Sequence, residues 1–470
     1  MRASNLRFIL CMAPLLLFLQ TEAQTKRTVS AKEAVELALQ QVNDLKNLKL
    51  DYEAQRAKNK EIEGSAYPQI SGIISTQHFF AIPTQVLPDF ISPSVYGVLT
   101  KEGVKDGNGN PIQMPGSFGT IPAQFGVPWQ ASAGFTVQQL LFQADVFVGL
   151  KARKTAMDYA SANVRVGEDK VRENVYTAYY AILIAQKQQY YVNESKKRLE
   201  KLLYDMTEMY KNGFVEKLDI EKTQVSLNNL TTTKAQLDNL LQIGYANLKL
   251  QMGIPQADTL ELTTPLSPTE VKQDILSDEN FRYEDRNEVQ ALLKVKKLLE
   301  LDVQRNQLGR IPTVAAFWNY SQNALRQDFN FFKSGSTYPW FPTSIVGVNI
   351  NVPIFSGFAR DQKIKQAKIA LEKHNNTINT VEQGIDLQKL AAKKNFITNI
   401  EQMDAAEKNM QLAQNVYNTT KKKYEQGIGS SFEVLTADTE LQTAQSNYFN
   451  ALYNAVLAKI TYFKALGKLN

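Results

Sequence analysis

Residues 345–353 read IVGVNINVP, and no proline occurs in the remaining residues 354–470. Side chains alternate between the two faces of an extended strand, so Val346, Val348 and Ile350 point one way and the glycine and asparagines between them the other. The tract behind this segment suits continuous helix, because proline breaks helices. The stretch therefore predicts a two-faced strand that leads into a very long helix.

The same order of elements occurs earlier in the chain. GFTVQQLLF at 134–142 aligns with GVNINVPIF at 347–355 at a shift of 213, and AYPQI at 66–70 matches RIPTV at 310–314. Residues 129–254 also lack proline. These matches predict an internal duplication with two strands and one long helical hairpin in each half.

The duplication divides the sequence into consecutive parts. The predicted parts are a signal peptide (1–23), a first repeat (24–254, strands about 70–80 and 129–142), a linker (255–280) and a second repeat (281–470, strands about 313–322 and 344–354). The first repeat carries an insert at 81–128 with seven Pro and seven Gly residues. We expect the insert to be an irregular loop, because neither residue sustains a helix or an interior strand.

Two environments suit strands of this kind. Alternation of apolar and small polar residues fits a membrane barrel, and it equally fits a sheet with one face buried in a soluble core. Trp318 and Tyr320 share a face of the third strand and bring large aromatic side chains to one end, either as anchors at a lipid interface or as core packing. Four strands are too few to close a barrel, and open edges are excluded from lipid, so a membrane sheet needs several chains.

Heptad spacing marks the helices. Apolar residues recur at every seventh position from Met157 to Met206, and residues 437–465 follow a four-three spacing, which indicates coiled-coil seams. The uninterrupted runs at about 144–211 and 357–424 would each be a helix of ~100 Å. A cytoplasmic fibrous coiled coil is the alternative.

Each long run ends in a similar turn. YKNG at 210–213 and YEQG at 424–427 lie 214 residues apart, and Asp219 and Glu433 follow six residues after each glycine. Gly213 and Gly427 suit the left-handed conformation that ends a helix. The two acids suit a helix N-terminus, where the dipole favours negative charge.

The N-terminus reads as a secretory signal. Arg2 and Arg7 precede an apolar run, and TEA at 21–23 ends it. The only cysteine, Cys11, lies in this run, so we expect no disulfide in the exported chain. The net charge of +6 is spread over mixed-sign helix faces, which favours solvated surfaces over a nucleic-acid site.

Catalytic and metal-binding patterns are not evident. His78 and His374 lie in different segments without ligands at metal spacing, and GIGSS at 427–431 lacks the lysine of a phosphate-binding loop. We expect a protein that is not an enzyme and that uses no cofactor or metal. Transport energy must then come from a partner.

As a whole, the sequence resembles the TolC-type outer-membrane efflux and secretion channels. The resemblance rests on SAKEAVELAL near the start, VPIFSGFARDQKIKQA after the last strand, the turns YKNGFVEKLDI and YEQGIGSSFEVL, and the helix ends LKLQMGIP and KITYFKALG. It implies an α+β membrane protein in which three copies of four strands form one 12-stranded barrel. The long coiled-coil hairpins of the three copies would form a periplasmic tunnel.

The resemblance also implies a function. A homotrimer would be the passive exit duct of a tripartite efflux or type I secretion system, together with a periplasmic adaptor (membrane fusion) protein and an inner-membrane RND or ABC-type transporter. The location would be the outer membrane of a Gram-negative cell, with a periplasmic extension. An exported structural coiled-coil protein with a soluble sheet cap, and a self-contained diffusion porin, are the alternatives.

The site residues follow from the same resemblance. Tyr210, Gly213, Tyr424 and Gly427 would form the periplasmic tips that contact the adaptor. Asp219, Glu433 and Tyr424 would belong to a gate that opens by an iris-like rotation of the inner hairpin. Gly429 and Thr436 stand where the family pattern has charged residues, so a charge-based lock is not carried over.

Overall fold

The computed structural model describes residues 26–272 and 281–469. The predicted signal peptide and part of the predicted linker lie outside these residues. The elements in chain order are β1 (Lys26–Val29), α1 (Ala31–Gln41), α2 (Asn43–Gly64), β2 (Gln69–His78), β3 (Thr84–Pro88), α3 (Ile91–Lys101), β4 (Thr120–Gln124), β5 (Trp129–Phe142), α4 (Ala144–Lys211), α5 (Lys217–Met252), β6 (Thr259–Leu262), α6 (Pro268–Lys272), a 3₁₀ turn (Tyr283–Asp285), α7 (Asn287–Leu308), β7 (Thr313–Arg326), β8 (Phe341–Asn351), α8 (Ala359–Glu425) and α9 (Ser431–Ala465).

The structure forms two compact units that do not coincide with the two sequence repeats. One unit holds the described residues within 1–55, 156–296 and 373–470, and the other holds residues 56–155 and 297–372. Each repeat contributes to both units, because its strands pair with the strands of the other repeat. Each unit therefore contains residues of both repeats.

The unit of residues 56–155 and 297–372, called here the sheet unit, contains a four-stranded antiparallel sheet in the order β2-β5-β7-β8. The two repeats lie side by side in it: β2 and β5 come from the first, β7 and β8 from the second. The central junction is the pairing of β5 with β7. β2 and β8 form the two edges of the sheet.

The other unit, called here the helical unit, contains most of the long helices, and residues of their heptad positions are buried. α4 and α8 contain 68 and 67 residues. Leu199 and Met206 of the first predicted heptad series are buried, as are Leu441 and Tyr462 of the C-terminal series. In the same unit β1 pairs in parallel with β6.

The predicted irregular loop at 81–128 is wrong in part. β3 and β4 pair as a hairpin within it, and α3 is an 11-residue helix. Pro93 is the third residue of α3, and the first turn of a helix tolerates proline because the N–H that proline lacks has no partner inside the helix there.

Within the described ranges, no helix combines the length and the apolar character needed to cross a membrane.

Candidate channel wall and helix tips

The strand register places most apolar strand residues on one face of the sheet and most polar ones on the other. Opposite residues share a face, and Ile74 pairs with Ala133, Val137 with Trp318, and Trp318 with Val346. The apolar face carries Ile70, Ile74, Ala131, Ala133, Phe135, Val137, Val314, Ala316, Trp318, Tyr320, Val346, Val348 and Ile350. The other face is mostly Ser, Thr, Asn, Gln and Gly, and none of its strand residues is charged.

The apolar face is open. Ile74 is 88% exposed and Val346 is 80% exposed, and Ile350 on the same face is 64% exposed. Burying such side chains is worth about 1.5–3 kcal/mol each, so this face requires an apolar environment supplied from outside the chain. The two edge strands also carry unpaired backbone N–H and C=O groups, which need hydrogen-bond partners.

Trp318 and Tyr320 lie in the middle of β7, so the expectation that they lie at one end of the sheet is wrong. The Trp318 Nε1 donates to Ser344 Oγ at 3.0 Å, and both rings contact Phe135, with centroids 5.3 and 5.6 Å apart. They are part of the apolar face. Their role as interface anchors stays a prediction.

Other aromatic residues lie at the ends of the sheet, and no prediction from the sequence named them. At the end away from α4 and α8, neighbouring rings form a continuous series with centroid distances of 4.3 to 6.4 Å. Its members are Phe80, His78, Trp129, Phe329, Phe331 and Trp340. At the other end, Phe142 contacts Phe147 at 5.4 Å and Phe355 contacts Phe358 at 5.5 Å. In the sequence, these residues lie at or just beyond the ends of the strands, and this position is what could have identified them as aromatic residues at the ends of the sheet.

The two helix turns have the same backbone geometry. Gly213 has φ of 82° and Gly427 has φ of 76°. In the first turn the Gly213 N–H donates to Tyr210 O and the Phe214 N–H to Met209 O. In the second, Gly427 donates to Tyr424 O and Ile428 to Lys423 O. Both are Schellman motifs, which place a residue in the left-handed region and so favour glycine.

Asp219 and Glu433 occupy equivalent places, as the third residues of α5 and α9. The Glu433 N–H donates to the Ser430 side chain at 3.2 Å, which caps α9. Asp219 lies 3.8 Å from Lys222 Nζ one turn along its helix. The Asp219 contact joins two side chains of α5, whereas the Glu433 contact uses the backbone N–H and not the carboxylate. The roles of the two acids stay predictions.

Tyr424 joins the ends of the two long helices. Its hydroxyl donates to Met209 Sδ at 3.3 Å, which links α8 to α4. Burial raises the pKa of the Tyr424 hydroxyl, and the charges of Asp205 and Asp219 raise it further. Tyr210, by contrast, is exposed. The structure thus brings Tyr424, but not Tyr210, into a contact between hairpins.

A buried polar cluster near the tips was not anticipated. Asp438 of α9 is 1% exposed and accepts hydrogen bonds from Ser195 Oγ at 2.8 Å and Arg198 Nε at 2.7 Å, both on α4. Gln442 also donates to Asp438, and the Arg198 guanidinium lies 5.0 Å from the centroid of the Tyr417 ring of α8. In the sequence, the indication of this buried cluster is that the acidic residue Asp438 directly follows Ala437, a residue of the coiled-coil seam.

Residues 289–468 match the family model "outer membrane efflux protein". The chain is 22% identical to outer membrane protein TolC of Vibrio cholerae over 349 residues, which cover 72% of this chain and 77% of that protein. It is 21% identical to TolC of Escherichia coli over 357 residues, covering 72% and 70%.

The resemblance to TolC-type outer-membrane channels is confirmed.

Solved structures of similar fold extend the match over nearly the whole chain. The outer-membrane protein VceC of Vibrio cholerae has a TM-score of 0.67 at 14% identity, covering 93% of this chain and 96% of that one. The outer-membrane channel CmeC of Campylobacter jejuni has a TM-score of 0.69 at 15% identity, covering 93% and 85%. The relatives are outer-membrane proteins, which confirms the expected outer-membrane localisation.

The TolC-type relatives are channels and not enzymes, in agreement with the prediction. Within residues 26–272 and 281–469, no group of three or more His, Cys, Asp or Glu side chains is arranged to hold a metal ion. His374 accepts or donates one hydrogen bond, with its Nε2 2.8 Å from Leu292 O. His78 belongs to the aromatic series at the sheet end.

Proposed function

We propose that three copies of this chain form an outer-membrane duct for an efflux or type I secretion system. The observation that carries the proposal is the uncovered apolar face of a sheet whose opposite face is mostly polar and uncharged. Such a sheet separates lipid from water, because lipid satisfies one face and an aqueous lumen the other. The similarity to outer-membrane efflux channels supports the same reading.

Closure of the barrel requires copies. Four strands leave β2 and β8 with unpaired backbone groups, and hydrocarbon supplies no hydrogen-bond partners for them. Three chains of four strands give a barrel of 12 strands, the number implied by the family. In this assembly the apolar face with Ile74 and Val346 contacts outer-membrane lipid, and the asparagine- and serine-rich face lines the lumen.

The helical part continues the duct into the periplasm. α4 with α5 and α8 with α9 form two hairpins per copy, so three copies supply 12 helices to a tunnel wall. A continuous conduit explains why this chain has helices of ~100 Å, which a diffusion porin does not need. The insert at 81–128 would lie on the extracellular side.

The helix tips are the proposed contact and gate. Tyr210, Gly213, Tyr424 and Gly427 would meet a periplasmic adaptor protein, which connects the duct to an inner-membrane RND or ABC-type transporter. Tyr424 would hold the hairpins together through Met209 in the closed state, with Asp219 and Glu433 beside it. Opening would be an iris-like outward movement of one hairpin.

Purified outer membranes provide the test. We expect the protein to resist extraction with sodium carbonate, to elute as a trimer after detergent solubilisation, and to form low-conductance channels in planar bilayers. Release by carbonate as a monomer would favour an exported structural protein with a soluble sheet cap. Two results together would favour a porin. One is a high bilayer conductance that Tyr424→Phe leaves unchanged, and the other is cellular efflux that does not depend on this chain.

A further inference from the structure

A single Asp, Glu, Lys or Arg residue lies within the four strands of the sheet. It is Arg326, the last residue of β7, and β2, β5, β8 and the rest of β7 contain no other. Arg326 pairs with Trp129 of β5, which shares its face with Ala131 and Ala133. Arg326 therefore lies on the apolar face, at the end of the sheet away from α4 and α8.

The Arg326 guanidinium has no anionic partner in the described parts of the chain. Arg326 is only 6% exposed. Its Nη1 donates to Leu325 O at 3.1 Å, whereas Nε and Nη2 are buried without any hydrogen-bond partner among the described residues. Asp328, the only acid of the segment 327–340 that joins β7 to β8, is exposed and forms no ion pair with a described residue. A buried charge without a partner is costly, so this position calls for an anion from outside the chain.

The two unpartnered nitrogen atoms lie on one edge of the guanidinium. In the planar fork of arginine, the Nε–H and one N–H of Nη2 point in the same direction, so they fit two oxygens of one phosphate or carboxylate group. A buried water would accept a hydrogen bond but would leave the positive charge uncompensated. The free edge therefore favours an oxyanion over a neutral ligand.

The surroundings of Arg326 suit the level of lipid headgroups. Trp129, directly opposite, contacts Phe329 with ring centroids 5.0 Å apart, and aromatic side chains concentrate where a membrane meets water. The Tyr338 ring centroid lies 5.8 Å from Arg326 Cζ and 5.9 Å from Lys333 Nζ. Lys333 is exposed and forms no ion pair within the described residues. Two cations without carboxylate partners thus lie beside aromatic rings at the end of the apolar face.

We propose that Arg326 and Lys333 bind a phosphate group of an outer-membrane lipid. This inference rests on the proposed duct, which places this end of the apolar face at the lipid headgroups, and it adds a lipid-binding site on the outer wall. Arg326 would hold two phosphate oxygens with Nε and Nη2, and Lys333 would act as a second point charge. A lipid fits better than free phosphate, because its acyl chains would cover the exposed apolar residues of the same face.

Access to the arginine depends on Tyr338. The chain itself covers the two Arg326 nitrogens, and the Tyr338 ring lies against the guanidinium while remaining partly exposed. Entry of the phosphate therefore requires the Tyr338 ring to move outward.

Lipid binding by delipidated trimers in detergent tests the site. The probe is lipid A that carries its phosphate groups, and the comparison ligands are enzymatically dephosphorylated lipid A and inorganic phosphate. The test variants are Arg326→Gln, Arg326→Lys and Lys333→Gln. Lys101→Gln is the matched control, since it removes one exposed positive charge from the insert at 81–128. Native mass spectrometry measures the bound fraction at each ligand concentration.

We expect Arg326→Gln to weaken the binding of phosphorylated lipid A about tenfold or more, because hydrogen bonds between charged groups are strong. Arg326→Lys should fall between wild type and Arg326→Gln, since lysine keeps the charge and loses the fork. Lys333→Gln, a change at an exposed residue, should weaken binding about twofold to fivefold. Lys101→Gln should bind as wild type does, and dephosphorylated lipid A should bind wild type no better than phosphorylated lipid A binds Arg326→Gln.

Equal binding of phosphorylated lipid A by wild type and Arg326→Gln would overturn the proposal, as would wild-type binding that does not depend on the phosphates of the lipid. If Arg326→Gln does not form trimers, Lys333→Gln decides, and unchanged binding by that variant would overturn the proposal. Arg326-dependent binding of inorganic phosphate as tight as that of lipid A would show a site for a free anion and overturn the lipid source. All these results leave the duct intact, whereas a monomeric wild-type protein would refute the proposed function itself.

Discussion

Asp438 offers the sharpest test of how the two hairpins are held together. Its carboxylate is buried between α9 and α4 and accepts hydrogen bonds from Ser195 and Arg198. Asp438→Leu keeps the number of side-chain heavy atoms and removes the charge and both acceptor oxygens. Arg198, whose Nη2 atom is buried without a hydrogen-bond partner among the described residues, would then lose its anion.

The size of the effect follows from burial. Removing one partner of a buried ion pair costs about 3–5 kcal/mol, because the remaining charge is uncompensated. The Arg198 side chain is 23% exposed, so water relieves part of this cost, and we expect the lower end, about 3 kcal/mol. Replacing both partners, Arg198→Met with Asp438→Leu, should recover most of it, since apolar substitution of a buried pair is often neutral.

Hydrogen exchange measures this loss locally. We expect backbone amides around Ser195–Leu202 and Leu435–Gln445 to exchange about 100-fold faster in Asp438→Leu, because each 1.4 kcal/mol of opening free energy is a factor of ten. Amides of β7 should not change. Glu440→Leu is the matched control, since Glu440 lies on the same helix but is exposed. Exchange of Asp438→Leu within twofold of wild type, or a double variant as fast as the single, would refute the reasoning.

Three further tests, two of them with a control substitution, concern backbone, hydroxyl and packing effects. Gly427→Ala should destabilise the second tip by about 1 kcal/mol, because the φ of Gly427 is 76°. Gly384 lies inside α8 with open space around it, so Gly384→Ala should stabilise that helix by about the same amount. Equal shifts in local amide exchange for the two variants would contradict this. The raised pKa of Tyr424 means that the folded tip holds the phenolic proton more tightly than the unfolded chain. Its contribution to stability is therefore complete below pH about 10 and is lost as pH rises through the higher folded pKa; Tyr424→Phe should remove this alkaline loosening, and an unchanged pH profile of tip exchange would count against it. Gly134→Ala should prevent normal sheet assembly, since the new Cβ would clash with Tyr320 O. Gly72→Ala is the control, because its nearest contact would lie at 3.8 Å. Trimer yield in detergent compares the two variants, and equal yields would show that β5 and β7 approach each other less closely than described.

The helices and their ends could be read from the sequence because their signals are local. Absence of proline and a seven-residue apolar period predict α4 and α8 close to their observed bounds. Glycine at 213 and 427 has a conformational freedom that other residues lack, and it takes the left-handed conformation in both turns. The alternation in residues 345–353 likewise follows from the two-residue period of a strand.

The tertiary structure decided the features that depend on distant partners. The strand order β2-β5-β7-β8 places the strands of the two halves side by side, and only this order shows which strands have open edges. Alternation alone fitted a buried face and a lipid face equally well. The exposure of Ile74 and Val346 within the chain favours the proposed lipid face. Asp438 had no local pattern, because its partners on α4 are 240 residues or more away in sequence. Periodicity reports the face of a single element, whereas what covers that face is set by contacts between elements.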